Sequence, residues 1–402
     1  MPQLRPEPPS LESAVVFATA RRELGEADRA VLLSASARGV DWTAVVRGAL
    51  AHGTGTLLCH HLLTLPSDKL PAAMHAAAEA VVAGRRAANA AVVEQLFGLL
   101  DALETAGIEA VPFKGPALAA EAFGDIALRE FRDLDLLIDE AAIDAAMTVL
   151  RHLGYRSQAE GLSPQQMAAY YRYNGQDILF RDGSLPVEPH WAFAPSTFSV
   201  HFRAADVMRR AQPAPLAGRM LRLPTPEDAV IIAAVHGAKE RWHRLLWVAD
   251  MAGLIQRHPA IDWDVALRRA TSAGVRRMML LGLALADDLL GAPLPDELRR
   301  VVAADTGVTA LRSELRMAVQ GAAAPSHSIF RLSRFGWRVR ERWADRLRYV
   351  VATTTTARLH HYRMFELAGP LAVAYPGVKL AHDYVAAPLW SALKALGLVR
   401  RE

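Results

Sequence analysis

Asp133 and Asp135 stand one residue apart at the start of the segment DLDLLI. Alternate side chains along a strand share a face, so both carboxylates point one way and Leu134 and Leu136 point the other. Two carboxylates side by side resist ionising together unless a cation lies between them. A hard divalent ion that prefers oxygen suits such a pair, with Mg²⁺ the first choice and Mn²⁺ the second. Some twenty residues upstream, Lys114-Gly115 ends the apolar run Ile108–Phe113 and precedes Pro116, a residue favoured in the first turn of a helix. A lysine beside free amides at a helix N-terminus suits phosphate. Only five of the 46 basic residues are lysines, so a lysine at this turn is a signal of its own.

The elements that must position these groups follow from the pattern. Residues 108–138 read as a strand (Ile108–Phe113), a turn, a short helix (Ala117–Phe123), a loop and a second strand (Asp133–Ile138). An amphipathic helix over Glu140–Leu153 and another over Ser163–Tyr173 come next. Gln176–Phe180 and Pro186–Trp191 read as a hairpin around Asp182-Gly183. The flanks are helical. Apolar residues recur at three and four from Leu11 to Leu65, a long helix spans Pro71–Ala106, and helices resume at Thr225. On that last series His236 and Lys239, three apart, share a helix face, and Trp247 and Asp250 repeat the spacing. The expected fold class is therefore α+β, a small mixed sheet flanked by helical regions and mostly α overall. The expected organisation is a disordered tail over 1–10, a helical region over 11–95, the sheet-bearing core over 96–224 and a helical domain over 225–402.

The K-G turn, the short helix and R-x-x-R-D-x-D-L-L-I (Arg129 to Ile138) together resemble the nucleotidyltransferase superfamily that includes DNA polymerase beta. More narrowly they resemble the bacterial uncharacterised nucleotidyltransferase family, in which K-G stands where most relatives carry G-S or G-G. The resemblance is strongest over Leu96–Trp191. It implies metal-dependent transfer of a nucleoside monophosphate from an NTP, ATP foremost, to a hydroxyl on a small molecule, peptide or protein. It implies Asp133 and Asp135 as metal ligands and Glu188 as a third carboxylate that also activates the incoming hydroxyl. Glu188-Pro189-His190-Trp191 matches an acid followed by His-Trp in the relatives, with a proline where an ordinary apolar residue is usual. That proline removes a ladder N–H and argues for an edge or bulged strand. Lys114 and Gly115 would take the triphosphate. Arg129 would either hold phosphate or pair with Asp133 or Asp135. His236 and Lys239 would complete the nucleotide pocket from the helical side.

Composition narrows the rest. The chain has 402 residues, 52% hydrophobic and 22% charged, enough for a sizeable core. No apolar run reaches the roughly 18 residues that cross a bilayer. The single cysteine, Cys59, excludes an internal disulfide and fits a cytoplasmic setting. A net charge of +4 does not by itself point to nucleic acid. Arg331–Arg348, however, holds seven arginines against Glu341 and Asp345 in what reads as one helix, Phe330–Val351. Two rivals follow: an RNA-binding protein using that helix, and a degenerate nucleotidyltransferase that binds nucleotide and a protein partner without turnover. Neither a phosphate-binding GxxxxGK[ST] loop nor the protein-kinase motifs are present.

Overall fold

The structure, a computed structural model, describes residues 10–320, 329–367 and 369–395. Four short helices lead: α1 (Leu11–Thr19), α2 (Glu26–Ala37), α3 (Trp42–His52) and α4 (Gly55–Leu62). The expected tail lies, apart from Ser10, outside the described residues; Ser10 caps α1 by accepting from the Ser13 amide. Helix α5 (Ala72–Thr105) follows and runs unbroken across residue 95. Its buried stripe of Val93, Leu96, Leu99, Leu100 and Leu103 recurs at three and four, which is why its second half seats against the sheet.

The sheet has five strands: β1 (Ala110–Pro112), β2 (Leu134–Ile138), β3 (Arg156–Ser157), β4 (Leu179–Phe180) and β5 (Val187–His190). Their spatial order is β1-β2-β5-β4-β3, with β2 and β5 parallel and the other neighbours antiparallel. Helix α6 (Gly115–Phe123) joins β1 to β2, and α7 (Ile143–His152) and α8 (Pro164–Asn174) fall between β2 and β4. Every residue of β2 is buried, as a strand needs to be in the interior of a sheet. Helix α9 (Ala204–Arg210) precedes a hairpin of β6 (Gln212–Leu216) and β7 (Arg219–Leu223). Neither that hairpin nor α9 appears in the expectations above. Pro213 and Pro215 mask the strand pattern, although Ala217-Gly218, both at positive φ, make the two-residue turn a hairpin requires.

The helical side comprises α10 (Pro226–Lys239), α11 (Leu245–Arg257), α12 (Trp263–Ser272), α13 (Arg276–Leu290), α14 (Asp296–Ala304) and α15 (Thr306–Val319). Beyond them lie α16 (Ile329–Arg338), α17 (Trp343–Thr355), α18 (Leu359–Met364), α19 (Tyr375–Ala381) and α20 (Ala387–Ala395). One apolar core joins α1–α4 to α10, α11, α13 and α15, so the two ends of the chain share it. Contacts between them are specific: Arg21 Nη1 donates to the Leu290 carbonyl at 2.9 Å, and Gly53 packs on Leu246. A second core clamps α5 and α7 onto the sheet. No helix among the described residues is long and apolar enough to cross a membrane.

Two expectations need correction. Pro189 is on the central strand of the sheet, not on an edge. Its carbonyl accepts from the Asp177 amide, so its missing N–H belongs to the side where β4 has given way to the irregular Asp177-Ile178 segment. The register of Leu179 with Val187 and of Gln176 with His190 sets Asp177 opposite Pro189, so the reciprocal donor of that pair is the ladder N–H that the proline removes. The basic segment is also not one helix. It breaks between α16 and α17, because the chain turns there to place Glu341 at the start of α13, where its carboxylate accepts from the Arg276 and Arg277 amides at 3.1 Å each. Most of its arginines are engaged. Arg340 is fully buried between the Phe198 and Tyr349 rings, Arg338 pairs with Glu314, Arg348 with Asp345, and Arg346 bonds the Arg340 carbonyl.

Candidate active site

Three local decisions build the site. Gly115 takes φ +53°, a conformation that L side chains rarely adopt, and an added Cβ would stand 3.2 Å from the Asp133 carbonyl oxygen. The lysine–glycine turn is thus pressed against the lead-in to β2. The parallel register pairs Asp135 with Glu188 directly, so their side chains lie next to each other on one face of the sheet. His190, two residues after Glu188, shares that face.

The resulting geometry is tight. Lys114 Nζ donates to Asp135 Oδ1 at 2.8 Å. His190 Nε2 lies 2.8 Å from the same oxygen and 3.4 Å from Glu188 Oε2. Gln176 Nε2 donates to Glu188 Oε2 at 2.7 Å. Asp135 Oδ2 is buried and has no hydrogen-bond partner. One ligand atom each from Asp135, Glu188 and His190 falls within 4.8 Å of the others, a span that matches ligands around a single ion. Asp133, just before β2, is not in that trio.

The electrostatics divide the two aspartates. Burial, then the Asp135 and Glu188 carboxylates, pushes Asp133 up to about 6. Burial alone would raise Asp135 too, but Lys114 and His190 outweigh it and hold its carboxyl well below the usual range. Burial likewise disfavours the Lys114 ammonium, yet Asp135, Asp133 and Glu188 more than offset this and its pKa stands above the ordinary value.

Arg129 does not pair with Asp133 or Asp135. Its guanidinium forks onto Asp250 of α11 at 2.7 and 2.9 Å, with both side chains almost fully buried. The pair ties the loop before β2 to the helical side. His236 and Lys239 on α10 come close enough to the site for its charges to act on them. Burial and then Lys114 lower the pKa of each, and Asp135 pulls the other way. His236 is also braced edge-on by Trp247, centroids 5.7 Å apart. The structure therefore brings Lys114, Gly115, Asp133, Asp135 and Glu188 together, keeps His236 and Lys239 within reach of their charges, and commits Arg129 elsewhere. Sequence reasoning missed His190 and Gln176 as members of the site. A cleft of about 370 Å³ lined by Tyr170, Arg358 and Lys379, among others, is separate; none of these site residues borders it.

With this geometry in hand, comparison with known proteins is informative. A family described as "Uncharacterised nucleotidyltransferase" matches residues 38–291, well over half of the sequence. The chain belongs to that family. The match takes in α5, the whole sheet, and α10, α11 and α13, so every site residue named above lies inside it. A solved structure of the antibiotic-resistance factor ANT(2'')-Ia is similar at 16% identity, over 58% of this chain and 96% of that chain, with a TM-score of 0.28. No curated protein matches the chain.

Proposed function

We propose that this family member transfers a nucleoside monophosphate from an NTP, ATP foremost, to a hydroxyl acceptor on a small molecule, peptide or protein, and releases pyrophosphate. The observation that carries the reading is the buried, unpartnered Asp135 oxygen beside Glu188, next to a buried lysine at a glycine turn. Three carboxylates against one ammonium leave two negative charges in the cluster, which a divalent cation would balance. Asp133, Asp135 and Glu188 are the residues that would hold it, with Mg²⁺ or Mn²⁺ as the ion. When bound, such an ion neutralises charge on the phosphates and on the leaving oxygen.

The chain's own groups account for the remaining work. The Lys114 ammonium and the turn at Gly115 take the triphosphate. Lys239 and His236 close over it from α10, with the imidazole kept uncharged by burial and by the neighbouring lysines. Arg129, through Asp250, holds the acid-bearing strand in register with that helical face. Glu188 accepts the proton of the acceptor hydroxyl as its oxygen attacks the α-phosphorus. The bond from that phosphorus to the α–β bridging oxygen breaks, and its electrons leave with pyrophosphate. Positioning and charge supply most of the rate in such transfers. The cytoplasm is the compartment that fits this chemistry and the lone Cys59.

The test is pyrophosphate release with each of the four NTPs, Mg²⁺ and a cell extract as the source of acceptor. Release that disappears with Asp135→Asn supports the reading. NTP binding by calorimetry without release, when labelled acceptor candidates are supplied, would move the protein to a nucleotide-binding role. Absence of NTP binding would sink the catalytic reading.

A further inference from the structure

We infer that His190 is a nitrogen ligand of the divalent ion, so that this site is a mixed carboxylate–imidazole site and prefers Mn²⁺ to Mg²⁺. The inference rests on the nucleotidyltransferase reading for the presence of an ion and goes beyond it in ligand set and ion choice.

The argument begins with how His190 spends its two nitrogens. The ring is almost completely buried, with its side chain 1% exposed. Nδ1 lies 3.3 Å from the Ala192 carbonyl oxygen, which can only accept, so Nδ1 carries the hydrogen. Nε2 is the nitrogen left to face the carboxylates. It faces Asp135 Oδ1 at 2.8 Å and Glu188 Oε2 at 3.4 Å, without the alignment of a hydrogen bond. A ring nitrogen set against two carboxylates calls for positive charge between them, and a divalent ion held by all three groups would supply it. Metal-bound histidines characteristically donate their other ring N–H to a carbonyl or carboxylate, which is the role Ala192 fills.

The surroundings fix the ring in that pose. Phe113 meets it edge-on at 5.1 Å and is itself braced by Phe193 at 5.6 Å. Gln176 holds Glu188 by one oxygen. Lys114 takes Asp135 Oδ1, which leaves Asp135 Oδ2 as the unsatisfied acceptor. Opposite ligands at Mg²⁺ or Mn²⁺ distances stand about 4.2 Å apart, and the ligand atoms of Asp135, Glu188 and His190 lie within 4.8 Å of one another. Mg²⁺ favours an all-oxygen octahedron and gives up its waters reluctantly, whereas Mn²⁺ accepts imidazole more readily. Replacing one oxygen ligand by nitrogen therefore biases the site toward Mn²⁺.

The experiment uses the full chain and Mn²⁺ alone. Electron spin-echo spectroscopy of the bound ion should show modulation from a directly coordinated ¹⁴N, and incorporation of ¹⁵N-histidine should change it. Calorimetry should give Mn²⁺ a Kd about tenfold or more below that of Mg²⁺. His190→Gln should abolish the nitrogen modulation while Mn²⁺ still binds, and should shrink the Mn²⁺/Mg²⁺ ratio to a few-fold. If that variant fails to fold, the wild-type spectrum decides alone. Mn²⁺ that binds in an Asp135-dependent way without nitrogen coupling would overturn the His190 assignment and leave nucleotidyl transfer standing. Mn²⁺ binding that is absent, or indifferent to Asp135→Asn, would overturn this inference together with the metal part of the functional reading. Pyrophosphate release measured on the same samples would show separately whether transfer survives.

Discussion

Removing the Asp250 carboxylate should damage this protein more than removing any surface charge. Arg129 and Asp250 make two hydrogen bonds, at 2.7 and 2.9 Å, and their side chains are 7% and 3% exposed. In Asp250→Ala the guanidinium remains in place, because Asn89 fixes its backbone by donating to the Arg129 carbonyl at 3.1 Å, and α11 still covers it. An uncompensated buried charge of this kind costs about 3–5 kcal/mol. At 1.36 kcal/mol per tenfold, that is about two to nearly four orders of magnitude in the unfolding equilibrium. The double change Arg129→Met/Asp250→Leu removes both charges and fills the space with apolar atoms, so it should recover most of the loss. Urea unfolding followed by circular dichroism at pH 7 measures all three proteins against the parent. A loss below about 1 kcal/mol in Asp250→Ala would refute the reasoning. It would mean that Arg129 finds a new partner, for which Asp133 is the nearest candidate by charge. A double variant as weak as the single one would also refute it, by showing that the cost lies in packing rather than in the orphaned charge.

The other predictions concern the turn and the first aspartate. In the metal-free protein Asp133 titrates at about 6, above the ordinary 3.8, so the folded chain binds more protons than the unfolded chain between those values. The stability given by its protonated form is present below about pH 4 and is lost as pH rises through 6. Asp133→Asn should therefore stabilise the metal-free protein by up to about 2–3 kcal/mol at pH 8 and by nothing at pH 4, as read from urea midpoints at the two pH values. Gly115→Ala places a Cβ at φ +53° and 3.2 Å from the Asp133 carbonyl oxygen. It should cost about 1–2 kcal/mol of stability and lower pyrophosphate release by more than about tenfold, because the carbonyl that must yield leads directly into the acid strand.

The site was legible where its chemistry follows chain-local rules. Asp133 and Asp135 could be placed because alternation along a strand needs only neighbours in sequence. Lys114-Gly115 could be placed because an apolar run that ends just before a proline suited to a first helical turn marks a turn into a helix. Glu188 came from resemblance, and the register that sets it opposite Asp135 depends on a parallel pairing across more than fifty residues, which no local pattern encodes. His190 was nonetheless within reach: it stands at i+2 from Glu188 and so had to share its face. The partner of Arg129 was not, since Asp250 lies 121 residues away on a helix whose packing is a tertiary fact. The break in the basic segment was hidden for a similar reason. Composition from Arg331 to Arg348 is compatible with one helix, and the turn is dictated by what Glu341 caps on α13. Pro189 misled because a rule about edge strands concerns the N–H and not the strand as a whole, and a central strand can have one unpaired position.

The Arg129–Asp250 fork has a consequence for how this catalytic unit could be moved between proteins. The sheet with its acids looks like a cassette, bounded by α5 on one side and β7 on the other. Cut free at Leu223, however, it would leave behind Asp250, Lys239 and His236, and would carry away a buried arginine with nothing to balance it. Nor could a foreign helical domain substitute, unless it offered a carboxylate at the same depth. Recombination that respects the apparent seams of this chain should therefore yield insoluble or silent chimaeras, whereas exchanges that keep the sheet with α10 and α11, and those helices with their core partners α1–α4, α13 and α15, should stay folded.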